Sequence, residues 1–202
     1  IGAGKSTFLK LLDKHLQQVT VALEPLHNWQ SKVYGQSLLS HFYEDPKRWA
    51  YSMETFAMIC RVKEHIKEQH EINPNRIAER SIYSGHYVFA QNGYENGFMT
   101  DVEWAMYNQW FDFLTSNTCL PPRGFIYLHV EPSIAFERIK KRNRLAEKKI
   151  SLSYLKQIDY QHKKFLINKD GVSNDLKHVP VLILDCNEEF ETNEEKLEQH
   201  IQ

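Results

Sequence analysis

The stretch Ile1-Gly2-Ala3-Gly4-Lys5-Ser6-Thr7 limits this chain more than any other. It reads as the second half of a phosphate-binding loop, G-x-x-x-x-G-K-[ST], with Gly4-Lys5-Ser6 as its fixed end. The pattern places a first glycine and a feeding strand ahead of Ile1, and a helix after the loop. Glycines let successive backbone N–H groups turn into one cradle, and the helix N-terminus adds a favourable dipole. Gly2, Ala3, Gly4 and Thr7 would form that cradle. Lys5 would neutralise the β- and γ-phosphates of a nucleoside triphosphate, and the Ser6 hydroxyl would ligate Mg²⁺.

Behind the loop, 5–18 has the spacing of an amphipathic helix, with Phe8, Leu9, Leu11, Leu12 and Leu16 on one face. The nearly continuous apolar run 19–23 fits a strand buried on both faces. It ends at Glu24-Pro25, where proline stops the ladder and leaves a carboxylate at the strand's carboxyl edge. Further helices are expected over 36–43, 45–70, 82–92 and 100–114, then from Pro132 into the basic run ending at Lys149, and over 154–166 and 193–201. Strands are expected over 76–79, 125–130 and 179–184. Alternating strands and helices imply right-handed crossovers and a parallel sheet covered on both faces. With no repeat and no linker, one α/β domain is expected over 1–202. Helix 100–114 carries Trp104, Tyr107, Trp110, Phe111 and Phe113, a stripe suited to core packing or a subunit contact.

Composition removes several classes of function. The chain has 25 basic and 26 acidic residues, a balance that argues against a broad nucleic-acid-binding surface. Cys60, Cys119 and Cys186 stand far apart without C-x-x-C spacing, which points to neither a zinc site nor a disulfide framework. An intracellular, reducing compartment follows, the cytoplasm by default, with mitochondria and nucleus left open because the N-terminus is not in hand. No apolar run approaches the ~20 residues of a membrane span. The histidines form no H-E-x-x-H and are expected on solvated faces.

In an open parallel sheet, ligands bind beyond the carboxyl ends of the strands. Three polar features fall at such ends: Glu24, Glu79-Arg80-Ser81, and the stretch 185–190. Together with the loop they carry a pattern that resembles a known family. The loop itself, Glu24-Pro25 with Trp29, Tyr43-Glu44-x-Pro46-x-Arg48-Trp49 and Glu79-Arg80-Ser81-x-Tyr83-Ser84 match in order. So do Tyr87-x-Phe89, Tyr127-Leu128, Arg138-x3-Arg142-x-Arg144-x2-Glu147 and Asn187-Glu188-x-Phe190. The set is similar to the deoxyribonucleoside kinases of the deoxycytidine, deoxyguanosine and mitochondrial thymidine kinase group, from Ile1 to the C-terminal helix.

The resemblance implies a P-loop kinase three-layer sandwich with a lid at about 138–150, acting as a homodimer. It implies transfer of the γ-phosphoryl of ATP to the 5′-hydroxyl of a deoxynucleoside. Phosphoryl transfer depends on positioning and charge neutralisation more than on covalent chemistry. Glu24 would accept the hydroxyl proton. Glu79 would hold Mg²⁺ with Ser6, and Arg80 would steady charge between the attacking oxygen and the moving phosphoryl. Arg138, Arg142 and Arg144 would form the lid over the ATP phosphates, with Glu188 and Phe190 also on the ATP side. Tyr43 and Glu147 would bond the sugar 3′-OH. Phe89 would stack on the base, with Ile1, Trp29, Phe42 and Met53 as further walls.

Two positions depart from the family's pattern: Glu54 stands where relatives usually carry glutamine, and Gly85 where several carry aspartate. Arg61, seven residues after Glu54, shares its helix face. An ionised glutamate only accepts hydrogen bonds, whereas glutamine also donates. Glu54 is therefore expected to replace the aspartate as counter-charge for Arg61 and to favour bases that present donors, while Gly85 opens room for a thymine methyl. Two other readings are a nucleoside monophosphate kinase of the thymidylate kinase kind and a non-catalytic scaffold. Against the first stands Glu24, since an anionic acceptor needs no base. Against the second stands the retention of Lys5, Glu24, Glu79 and the lid arginines.

Overall fold

The computed structural model describes residues 1–16, 18–24, 37–69, 75–144 and 147–188, without the side chains at 68 and 117. Trp29, Phe190, Pro25 and the expected helix 193–201 lie outside the described residues.

The loop turns into a helix over Lys5–His15, entered through Gly4 at φ 82°, a left-handed conformation that glycine adopts without steric cost. Phe8, Leu9 and Leu12 form its buried face. They pack with Leu128, Val130, Ala135 and Ile139, so the loop rests on the strand and helix of the chain's second half. The helix stops three residues short of the expected end, where Leu16 leaves helical geometry.

Strand β1 (Thr20–Ala22) runs parallel to β2 (Arg76–Ala78), with Thr20 opposite Arg76 and Ala22 opposite Ala78. Strand β3 (Phe125–His129) runs parallel to β4 (Val181–Asp185), with Phe125 opposite Val181 and His129 opposite Asp185. A parallel pair cannot be joined by a hairpin and needs a crossover, here made of helices. Among the described residues the strands form two such two-stranded ladders, and the expected mixed α/β architecture with parallel pairing is present.

The helices Leu38–Glu44 and Pro46–Gln69 belong to the first crossover. Ser37 caps the former, its hydroxyl accepting from the Ser40 N–H at 3.1 Å. Residues 82–95 form one rod, α-helical at Ile82–Ser84, wound as a π-helix over Gly85–Ala90, and α-helical again over Gln91–Glu95. Such π segments are uncommon and cluster at functional sites. The helix Asp101–Thr118 opens with a full capping box between Thr100 and Glu103. Helix Pro132–Arg142 ends at Asn143, whose φ of 52° is left-handed. The helix reaches into the basic run as expected, and Arg144 and Glu147 lie beyond its end. Residues 152–167 begin as the helix Leu152–His162 and finish as a π-helical turn over Lys163–Ile167.

The aromatic stripe divides. Trp104, Tyr107 and Phe111 turn inward against His86, whose ring stacks on Phe111 at 3.9 Å between centroids. Val102, Met106, Trp110 and Phe113 stay exposed. The expectation that the histidines face solvent fails at His86 and His162, because their rings are needed as flat partners inside aromatic stacks. Burial lowers the pKa of each to about 3, so both are neutral in the native state. Among the described residues no helix is long and apolar enough to cross a membrane.

Neutral burial of His86 has a pH signature. The unfolded chain takes up a proton near the ordinary histidine value of about 6.5, whereas the folded chain does not until about 3. Stability is therefore fully present above about 6.5 and lost as pH falls through that window. His86→Phe keeps the stack and removes a buried Nδ1 that has no hydrogen-bond partner among the described residues. Denaturant midpoints measured from pH 7 to pH 4 should fall less steeply in that variant than in the wild type.

Candidate active site

The register of the first ladder builds the centre of the site. Ala22 faces Ala78, and Glu24 and Arg80 each stand two residues further along their parallel chains. The Glu79 N–H still donates to the Ala22 carbonyl at 2.7 Å, which holds the two strand ends together. Both acidic groups thus emerge at the carboxyl edge, where the sequence pattern put them. Arg80 has a φ of 63°, a conformation that costs a non-glycine residue energy and collects at active sites.

These groups open on a cavity of about 330 Å³. The entire loop from Ile1 to Thr7 borders it, as do Glu24, Glu79 and Arg80. So do Phe42, Tyr43, Met53, Glu54, Arg61, Phe89, Arg142, Arg144 and Glu147. Most of the residues expected at two separate subsites therefore share one space. Phe42 and Met53 are walls of the cavity and members of the main core cluster at once.

Glu79 and Glu24, both buried in this space, each have cations close by. The Ser6 hydroxyl donates to Glu79 Oε1 at 3.1 Å and Oε2 at 3.3 Å, and Lys5 Nζ lies 3.7 Å from Oε1. Arg61 Nη2 donates to Glu24 Oε1 at 2.7 Å, and Arg80 Nη1 stands 3.5 Å from the same oxygen. Burial works to raise the Glu24 pKa. The Arg80 and Arg61 guanidinium groups and the Arg61 hydrogen bond outweigh it and hold the carboxyl below its usual value. The Arg80 guanidinium also lies over the Phe89 ring, 4.3 Å from its centroid.

Glu54 has a different environment. It is buried on the cavity wall, and burial raises its pKa to about 7 against the pull of Arg61 and Arg80 and with the push of Glu24. The Arg61 guanidinium hydrogen-bonds Glu24, while its charge also acts on Glu54, the counter-charge expected for it. The space beside Gly85 explains the reach, since a Cβ there would stand 2.5 Å from Arg61 Nη1. The end of the Arg61 side chain stands where a side chain at Gly85 would begin.

Glu147 and the lid arginines meet one another. Arg142 Nη2 donates to Glu147 Oε2 at 2.6 Å, and Arg144 Nη1 lies 3.8 Å from Oε1. Arg138 was grouped with them but does not border the cavity, and neither does Glu188. Its guanidinium donates to the carbonyls of Cys186 at 2.9 Å and of Asn187 and Glu188 at 3.2 Å. Three backbone acceptors match the fixed fork of a guanidinium, so Arg138 ties its helix to the turn after β4.

Gly2 has a φ of 73°, and a Cβ on it would stand 2.7 Å from the Ala135 carbonyl oxygen, so both conformation and close approach call for glycine. Four lining residues escaped the sequence reading: Lys10, Leu39, Ala57 and Tyr154. Ala57 lies three and four residues beyond Glu54 and Met53 on the same helix face and was legible from spacing. Tyr154 had no local signal; its ring meets Tyr43 edge-on at 6.5 Å between centroids only through the tertiary fold. Burial pushes both phenols above their ordinary pKa, which keeps them protonated hydrogen-bond donors.

Oxygen ligands suit magnesium, which is usually held by one or two carboxylates, waters and substrate phosphates. The Ser6 hydroxyl against the Glu79 carboxylate, at the N-terminus of the loop helix, fits that donor set. Among the described residues there is no group of three or more His, Cys, Asp or Glu that could hold a metal without such phosphates.

A family model described as "Deoxynucleoside kinase" matches residues 1–202. The chain is 36% identical to deoxycytidine kinase 2 of Gallus gallus over 221 residues, covering 98% of this chain and 83% of that protein. It is also 36% identical to the mitochondrial deoxyguanosine kinase of Xenopus laevis over 217 residues, covering 96% and 81%. Deoxycytidine kinase of Homo sapiens is 32% identical over 224 residues, covering 100% and 86%.

Proposed function

The chain belongs to the deoxynucleoside kinase family and phosphorylates nucleosides; from that premise we propose that it moves the γ-phosphoryl of ATP to the 5′-hydroxyl of a deoxynucleoside, with Glu24 as the proton acceptor. The observation that carries this reading is the convergence of the phosphate loop, Glu24, Arg80 and the Ser6–Glu79 pair on one cavity. Lys5 and the N–H groups of the loop hold the phosphates. Arg80 sits beside Glu24, where a fixed cation stabilises charge that builds as the hydroxyl attacks. Glu24 is kept ionised by its two arginines and is ready to take the proton. Ser6 and Glu79 are the groups that would hold Mg²⁺, whose chemistry is to neutralise the charge on the phosphate oxygens. Tyr43 and Glu147 supply a donor and an acceptor for the sugar 3′-OH, with Tyr154 behind Tyr43. Arg142 and Arg144 close the phosphate side.

On the base, Glu54 is the polar group that sets preference. Ionised, it only accepts, which favours the cytosine amino group or the guanine N1–H and amino pair; protonated, it also donates, as glutamine does. The charged groups acting on it are Arg61, Arg80 and Glu24.

Exposed apolar side chains line two helices: Phe56 and Ile59 on Pro46–Gln69, and Val102, Met106, Trp110 and Phe113 on Asp101–Thr118. The spacing 102, 106, 110, 113 makes one stripe. A stripe of that kind on a charged surface favours self-association about a two-fold axis, and this face is the proposed homodimer contact.

Three outcomes are expected. ATP turnover should depend on added deoxynucleoside, and Glu24→Gln should lower kcat by roughly a hundredfold or more, the scale of a general base. Full turnover in that variant would remove the acceptor role. The ratio of kcat/KM for deoxycytidine to that for thymidine cancels ionisations common to both substrates. It should rise from pH 6 to pH 8, as Glu54 ionises around 7, and stay flat in Glu54→Gln. In sedimentation at micromolar concentration the wild type should run as a dimer and Trp110→Glu as a monomer; a monomeric wild type would rule out the dimer.

A further inference from the structure

We infer that in this chain Arg61 is a positioning residue for Glu24 and not a reader of the base, and that Gly85 is a second positioning residue because it makes the room Arg61 needs. The inference rests on the reading of Glu24 as proton acceptor.

Arg61 and Glu24 form a buried pair, with 7% and 3% of their side chains exposed and a 2.7 Å contact between Nη2 and Oε1. Arg80 approaches the same Oε1. With Oε1 held from two sides, Oε2 is the oxygen assigned to the incoming hydroxyl. The guanidinium is a rigid plane. A push on its Nη1 swings or pivots the whole plane, which turns the Nη2–Oε1 hydrogen bond off its present line.

Gly85 stands against that Nη1. Its backbone is ordinary right-handed helix, φ −58° and ψ −51°, which any residue adopts. Glycine inside a helix is weaker than alanine by about 1 kcal/mol, so conformation gives no reason for it. Space does: the Cβ of even an alanine would stand 2.5 Å from Nη1, closer than real contacts allow. The absent side chain is thus the volume in which the guanidinium sits while it holds Glu24. Swinging Arg61 out to a base edge would strip a cation from a buried carboxylate, a loss that one base contact does not offset. Reading of the base is left to Glu54, on the same helix face two turns away.

The test is kcat and KM for the four deoxynucleosides in the wild type, Gly85→Ala, Arg61→Met, Arg61→Lys and the Gly85→Ala/Arg61→Met double variant. Arg61→Met should lower kcat by roughly tenfold to a hundredfold, the range for a hydrogen bond between charged groups, and by the same factor for all four substrates. Gly85→Ala should do the same in milder form, also without re-ranking them. Arg61→Lys, which keeps a cation, should recover part of the loss. The double variant should be no worse than Arg61→Met alone, because Gly85 acts through Arg61. Re-ranking of the substrates by Arg61→Met with kcat kept would overturn the inference, and so would losses that multiply in the double variant. Glu24→Gln in the same assay separates the two readings. Full turnover there removes the acceptor role and this inference with it. Loss there, with re-ranking by Arg61→Met, overturns the positioning role alone.

Discussion

Burying several ionised side chains in one cavity is tolerable only when each has an opposite charge within reach, because an unpaired buried charge is among the most costly things a fold can contain. The site meets this constraint three times over. Glu24 faces Arg61 and Arg80, Glu79 faces Lys5, and Glu147 faces Arg142 and Arg144. The pairs link the first ladder, the long helix, the loop and the segment after helix Pro132–Arg142. Electrostatics therefore joins parts of the chain that hydrophobic packing assigns to two separate clusters.

The same compensation is what a phosphoryl-transfer site requires. Cations in the cavity are held by carboxylates of the protein; in the proposed reaction a triphosphate would offer them stronger anions. Lys5, Arg142 and Arg144 each have such a local carboxylate to leave. Arg61 differs from them, since its partner Glu24 is the most buried of these carboxylates.

Much of this was legible in the sequence. The loop, the carboxylates at strand ends and the i, i+7 relation of Glu54 to Arg61 are local or periodic features, and the structure keeps each of them where the spacing put it. What spacing could not give was the choice among partners. Arg138, Arg142 and Arg144 look equivalent as a basic run, yet Asn143 ends the helix between them. The first then satisfies backbone carbonyls while the others meet Glu147. Glu54 is the counter-charge that spacing offers Arg61, and the Arg61 charge does act on it, but the hydrogen bond to a carboxylate 37 residues away in sequence, brought close by strand register, had no local signal. The inward and outward halves of the aromatic helix were likewise indistinguishable until His86 supplied a stacking partner for one of them.

Helix Pro132–Arg142 touches three other parts of the chain along its length. Near its start, the Ala135 carbonyl abuts Gly2 of the loop; in its middle, Arg138 grips the turn after β4; at its end, Arg142 holds Glu147. At a rise of about 1.5 Å per residue, this one rod acts as a ruler between the loop, the turn after β4 and Glu147. Tilting it would carry all three together. Lengthening it by a single residue would rotate the last grip by about 100° away from the first two. The spacing of the three contacts is thus set by the length of the helix itself.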